Sequence, residues 1–264
     1  MSTRPSDTEL TDVGLRLDQD GAVAVITLAR PENRNAQRPS TWRTFARIGE
    51  WVASEGMQVV ILQAEGPSFS AGMDRAMFTP EGVPGEPSLV ALGRTGADDL
   101  EGFIIDAQSG FRWWREVDAV SIAAVRGHAM GAGFQLALAC DLIIPHPEAV
   151  FAMRETSWGL VPDLGGTWPM VAGAGYGPAL EACATGRDIT PQELQSWGLA
   201  LPTQQEPESA ARSLAERLIS TPPGAVSALK HLLAEATGSP ASQQWARERA
   251  WQIERITSLA KLMS

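Results

Sequence analysis

Two short apolar strands separated by an amphipathic helix constrain this chain most. Ala22 to Leu28 (AVAVITL) and Val59 to Gln63 (VVILQ) are unbroken apolar, β-branched runs. Lack of alternation is the pattern of strands buried on both faces. Between them Arg30-Pro31-Glu32-Asn33 breaks the chain. From Ser40, Trp42, Phe45, Ile48, Trp51 and Val52 recur at helical spacing, and Gly56 closes the helix. Strand, helix, strand predicts a βαβ unit and hence a parallel sheet. Ser121 to Val125 supplies a third strand. Asp141 to Pro145 and Ala149 to Ala152 supply shorter ones.

Met73 to about Leu100 is rich in proline and glycine, and a loop of that length inside a compact domain is usually functional or mobile. Asp98 to Val117 then reads as a helix carrying Phe103, Ile104, Phe111 and Trp114. After Thr190 the chain turns helical. Thr190-Pro191-Gln192-Glu193 is a capping box with proline at the first helical position, and helices follow over Ala225 to Ala236 and from about Ser242 to the end. The expectation is an α/β core over residues 1–200 and a helical extension over residues 201–264.

With 264 residues and 44% apolar content, the chain can bury one large core. Its formal charge of −10 argues against a nucleic-acid binder. Cys140 and Cys183 read as free thiols in a reducing cytoplasm, and no Cys/His cluster has metal-ligand spacing. Met1 to Asp12 lacks a signal peptide's apolar run, and no 18-residue apolar stretch predicts a membrane span.

Three segments carry chemistry. Ser68-Phe69-Ser70-Ala71-Gly72-Met73-Asp74 follows the second strand, where small residues let the backbone turn and expose an N–H. Val125 to Leu136 (VRGHAMGAGFQL) passes from a strand end through a glycine turn into a helix starting near Ala132. The free N–H groups and positive dipole end of that helix suit a developing oxyanion. The third glycine of a dinucleotide fingerprint and the GK[ST] of a P-loop are both missing. In the third segment, Arg154 to Thr167, Glu155 and Asp163 stand eight residues apart. No G-x-S-x-G elbow supports a serine hydrolase at Ser68 or Ser70, and His128 reads as structural.

Together these segments resemble the crotonase superfamily, the enoyl-CoA hydratase/isomerase family. Pro31-Glu32-Asn33-Arg34-Asn35-Ala36 matches its P-x-x-x-N-A segment, and Phe69 to Asp74 its F-x-A-G-x-D segment. Gly127 to Gln135 matches G-x-x-x-G-x-G with the position that follows, and Cys140-Asp141 its C-D. Glu155 to Thr167 matches the E-x-x-x-G-x-x-P-x-x-G-G-T segment, with Arg154 where proline is usual. The resemblance covers about Val13 to Leu201. It implies a crotonase-like ββα spiral core with a C-terminal helical trimerisation region and a homotrimer or hexamer. The implied ligand is an acyl-CoA thioester, with no separate cofactor, since coenzyme A is part of the substrate. It also implies an oxyanion hole from the backbone N–H groups of Met73 and Ala132. Substrate and coenzyme A contacts would come from Arg30, Arg34, Ala36, Ala71, Gly72, Met73, Asp74 and Gly131.

The family's hydratases use two glutamates. Here the first position is Gln135, whose amide cannot act as a general base but can hold a water. The second is Glu155, expected to face an apolar pocket that raises its pKa. One glutamate at the second position is the pattern of the enoyl-CoA isomerases, in which a single base moves one proton. Asp163 matches the aspartate of dienoyl-CoA isomerases and resembles the nucleophile of the chlorobenzoyl-CoA dehalogenases. It is read either as a second proton-handling acid or as the cap of a helix beginning near Gly165. The alternatives to isomerisation are hydration, using Glu155 with Asp163 or a Gln135-held water, and acyl-CoA binding without turnover. Met77, Phe78 and Leu89 in the insertion are candidate acyl contacts.

Overall fold

The computed structural model describes residues 2–222, 224–236 and 238–262. In chain order the elements are α1 (Asp7–Asp12), β1 (Leu15–Asp20), β2 (Val23–Leu28), α2 (Pro39–Glu55), β3 (Val59–Ala64), α3 (Leu89–Leu92), α4 (Ala97–Glu116) and β4 (Val120–Val125). There follow β5 (His128–Met130), α5 (Ala132–Ala139), β6 (Leu142–Pro145), β7 (Val150–Ala152), α6 (Thr167–Ala174), α7 (Tyr176–Thr185), α8 (Pro191–Ser196), α9 (Pro207–Ile219), α10 (Ala225–Ala236) and α11 (Ala241–Leu262).

The main sheet has the order β1-β2-β3-β4-β6, and β2, β3, β4 and β6 run parallel as the apolar runs predict. β1 is antiparallel to β2 at the edge. Its sequence, LRLDQD, escapes an apolar-run search because only Leu15 and Leu17 face inward. β5 and β7 form a separate two-stranded parallel pair.

Both faces of the sheet are covered. One packs against α2 and α4, where Trp42, Phe45, Trp113 and Trp114 are buried; Phe45 and Trp114 meet edge to face at 5.8 Å. The other face places Val25, Ile61 and Ile122 against Ala211 and Ala215 of α9. Residues on both sides of position 200 therefore share one core. Helical structure also begins earlier than Thr190, at Thr167, because α6 and α7 are short segments rich in glycine and alanine with little amphipathic signal.

Asp141 of the C-D pair ties the C-terminal helices down. Its Oδ2 accepts hydrogen bonds from the Ser121 backbone N–H at 2.8 Å and hydroxyl at 2.9 Å, and pairs with Lys230 Nζ of α10 at 2.8 Å. Lys230 also donates to the carbonyls of Trp114 and Ala119. A buried ammonium needs these partners, and burial pulls its pKa down. Both cysteines are free thiols, Cys140 buried and Cys183 partly so. Among the described residues, no helix is long and apolar enough to cross a membrane. The last two residues of the expected C-terminal helix, 263 and 264, and Pro223 lie outside the described residues.

Candidate active site

One wall of the site is made of main chain. Residues 68–73 lie beside 126–130, with Phe69 N–H donating to Arg126 O (2.8 Å), Ser70 N–H to His128 O (2.9 Å) and Met130 N–H to Ser70 O (3.0 Å). Gly131 N–H donates across to Ala152 O at 2.8 Å. Three segments are thus held side by side. Gly72 sits at φ +87°, and a Cβ there would lie 2.5 Å from Met130 O and 3.5 Å from Ala132 N. Only glycine allows that approach. Among the described residues, neither Met73 N–H nor Ala132 N–H donates to a protein acceptor. Ala132 opens α5, so its N–H has no partner within the helix. Two unpaired donors therefore come from adjoining strands of backbone.

The wall is braced from beneath by residues to which the sequence assigned no role. Fully buried Ser70 Oγ accepts from Gln37 Nε2 (3.0 Å) and Gly72 N–H (3.2 Å) and donates to Asn35 O (2.8 Å). Asn35, at φ +53°, donates to the carbonyls of Glu65 and Ser68. The clue was a serine and an amide inside two motif segments, but their pairing spans more than thirty residues.

The facing wall is made of side chains. Glu155 opens a 3₁₀ turn, Glu155–Trp158, closed by Gly159 in the left-handed region. Gln135 lies one turn into α5 and is 1% exposed. Its Oε1 accepts from the backbone N–H groups of Leu164 (3.0 Å) and Gly166 (3.2 Å). That orients the amide, so Nε2 donates to Glu155 Oε1 at 2.7 Å. Among the described residues, Glu155 Oε2 is buried with no hydrogen-bond partner. The carboxylate lies against the start of α5, because a Cβ on Gly131 would sit 3.3 Å from Oε1. Burial pushes the Glu155 carboxyl above the usual range. Its own N–H and the Gln135 amide pull back, and the charge of Asp163 adds to the rise.

One expectation is refined here and one needs correction. Two backbone N–H groups occupy the Gln135 carbonyl, so a water held by this amide would bind through its second Nε2 hydrogen rather than through Oε1. Asp163 is not a helix cap: α6 starts at Thr167, and Gly166 at its N-cap position makes no side-chain bond. Asp163 is instead tied through its backbone carbonyl to Gln108 of α4 at 2.7 Å. Its side chain reaches solvent, yet surrounding protein still pushes its pKa upward.

The expected coenzyme A contacts divide. Arg30 is half-buried, packs on Gly14 and donates to Ala36 O, so part of its guanidinium holds its own turn. Burial lowers its pKa. Arg34 is exposed at φ +50° and has no side-chain partner among the described residues. Ala71 is exposed beside it, its N–H donating to Arg34 O at 2.8 Å, while Ala36 is half-buried. Asp74 Oδ1 accepts from Ala76 N–H, and Oδ2 pairs with Arg38 at 3.0 Å, so Asp74 caps the 3₁₀ turn Arg75–Phe78.

Among the insertion candidates, Met77 is fully buried, Leu89 is half-buried in α3, and Phe78 stacks on Trp158 with centroids 4.7 Å apart and planes at 26°. Nothing in the sequence marks Trp158 as part of this pair. A separate groove of about 470 Å³ between α4 and α6, lined by Phe111, Leu138 and Trp168, adjoins the acid wall at Gln108, Leu164 and Gly165.

An α/β fold with unpaired backbone donors on segments beside a buried carboxylate is a setting suited to acyl chemistry. Residues 18–261 match the family described as enoyl-CoA hydratase/isomerase. The chain belongs to that family of acyl-CoA-processing enzymes and has its crotonase fold. A Thermobifida fusca YX protein, provisionally named enoyl-CoA hydratase and solved with CoA, is 41% identical with a TM-score of 0.91, over 99% of this chain and 100% of that one. Its complex with acetoacetyl-CoA matches at 41% identity and a TM-score of 0.91, over 97% of this chain and 100% of that one. A carnitinyl-CoA dehydratase of Salmonella paratyphi A is 28% identical over 248 residues, 93% of this chain and 89% of the relative.

Proposed function

We propose that this protein moves the double bond of an enoyl-CoA thioester, with Glu155 as the single acid/base. The Met73 and Ala132 N–H groups would receive the thioester oxygen. Glu155 Oε2 would take a proton from the α-carbon of a 3-enoyl thioester, leaving a dienolate on that oxygen. The same carboxyl would return the proton to the γ-carbon, giving the 2-enoyl product. One observation carries this: Glu155 has one oxygen bound to Gln135 and the other buried without a partner among the described residues. That supports a base with a single working oxygen, whose burial raises its pKa in the direction a general base needs.

Hydration is the second reading. It is supported by the names of the relatives and by the carboxyl of Asp163, close enough to raise Glu155 electrostatically. Arg34 and Ala71 would meet the nucleotide end of coenzyme A, which itself serves as the substrate's carrier with no further cofactor. We also place the protein in the cytoplasm as a homotrimer or hexamer. Apolar side chains exposed along the C-terminal helices, such as Leu233, Trp245, Ile253 and Ile256, support assembly through residues 201–264.

The test supplies a 3-enoyl-CoA and a 2-enoyl-CoA separately to the purified protein. Double-bond migration with the first is expected. Hydration of the second without migration would reverse the order of the two readings. Tight binding of both with no turnover would make the protein a non-catalytic acyl-CoA binder.

A further inference from the structure

We propose that the stacked rings of Phe78 and Trp158 form the outer wall of the acyl site and select short acyl groups; this rests on the acyl-thioester reading of the site. Each ring is carried by a short turn leaving one side of the reacting centre. Phe78 ends the 3₁₀ turn that follows Met73 and is capped by Asp74. Trp158 ends the 3₁₀ turn that Glu155 begins. In a 3₁₀ turn, residues three apart eclipse one another, so the Trp158 side chain projects from the same side as the Glu155 carboxylate. The stack therefore joins the main-chain wall to the acid wall.

Its geometry leaves no slot between the rings. Centroids 4.7 Å apart with planes at 26° are already in contact. Admitting a hydrocarbon chain between them would need roughly 7 Å, two van der Waals contact distances. A thioester with its oxygen on the Met73 and Ala132 amides and its α-carbon under Glu155 Oε2 sends its chain between these two turns. A short acyl group ends before the rings. A longer one must part them or turn aside. Trp158 is 53% exposed, so the stack stands at the solvent rim and its replacement does not remove core packing.

The test measures dissociation constants of butyryl-CoA and decanoyl-CoA, both saturated and unreactive in this chemistry, by calorimetry. The proteins are wild type, Trp158→Ala, Trp158→Phe and Phe78→Ala. Trp158→Ala is expected to shift the butyryl/decanoyl preference toward decanoyl by about tenfold or more. Phe78→Ala opens the wall from the other side and is expected to shift it in the same direction. Trp158→Phe keeps a ring in the stack and is expected to shift it by less than about threefold. An unchanged preference in both alanine variants overturns the wall while leaving the acyl-thioester reading intact. Wild-type protein that binds neither ester overturns both.

Discussion

The two walls of the candidate site are built in opposite ways. The wall carrying Met73 and Ala132 offers backbone N–H groups, and its side chains serve to let strands approach or to brace them from below. The wall carrying Glu155 offers side chains, each held by named partners: Gln135 by the Leu164 and Gly166 N–H groups, and Glu155 by Gln135. Electrostatic stabilisation by backbone needs rigid spacing and tolerates varied residues. Proton transfer needs one functional group at one place.

The largest expected effect falls on the side-chain wall. Glu155→Gln should lower kcat by about 10²–10⁴-fold, as loss of a general acid/base does. In wild type, the acidic limb of kcat/KM should lie above the ordinary carboxylate range, because burial raises Glu155. The same shift has a stability consequence. A carboxyl raised in the folded state contributes fully below its unfolded pKa and loses that contribution as pH rises through the folded value. Melting curves should therefore show Glu155→Gln gaining stability relative to wild type as pH rises through that range.

Gly72→Ala comes next and attacks the backbone wall. With φ at +87° and a Cβ 2.5 Å from Met130 O, the loop must shift and carry the Met73 N–H with it. A loss of about 10²–10³-fold in kcat, measured with saturating substrate, is expected. An effect below tenfold would mean that the Met73 amide does not face the reacting oxygen.

Gln135→Leu should have a smaller effect on rate and a clear one on stability. It strands two buried N–H groups, costing about 1–3 kcal/mol for each group left unpaired, readable by denaturant unfolding. It also removes a hydrogen bond that favours ionised Glu155, so the acidic limb should move to higher pH. A limb that stays in place would separate Gln135 from the base.

Smallest of all should be Met73→Leu, which keeps the N–H and changes only a half-buried side chain. A change in kcat under about threefold is expected. A large change would break the contrast between the walls.

How much was legible in the chain differs along the same lines. Glycine positions and apolar runs marked the backbone wall, because a tight turn and a buried strand each need local residue types. The parallel strands, α2 with its Gly56 stop and the Thr190 capping box were readable for that reason. β1 was not, because an edge strand keeps only two side chains inside. Asp163 was misread as a cap because the chain runs on to Gly166 before α6 begins, and its carbonyl is held instead by Gln108 of a distant helix.

By itself the sequence determined which groups the site can contain: glycines that let amides be exposed, one glutamate where hydratases have two, and an amide in the other's place. Only the tertiary structure decided what those groups are free to do. It used up the Gln135 carbonyl on Leu164 and Gly166, left Glu155 Oε2 unpaired, and brought Phe78 onto Trp158 across eighty residues of chain. The physical reason is that hydrogen-bond capacity and ring contact are properties of neighbours in space, and these neighbours come from segments far apart in the chain.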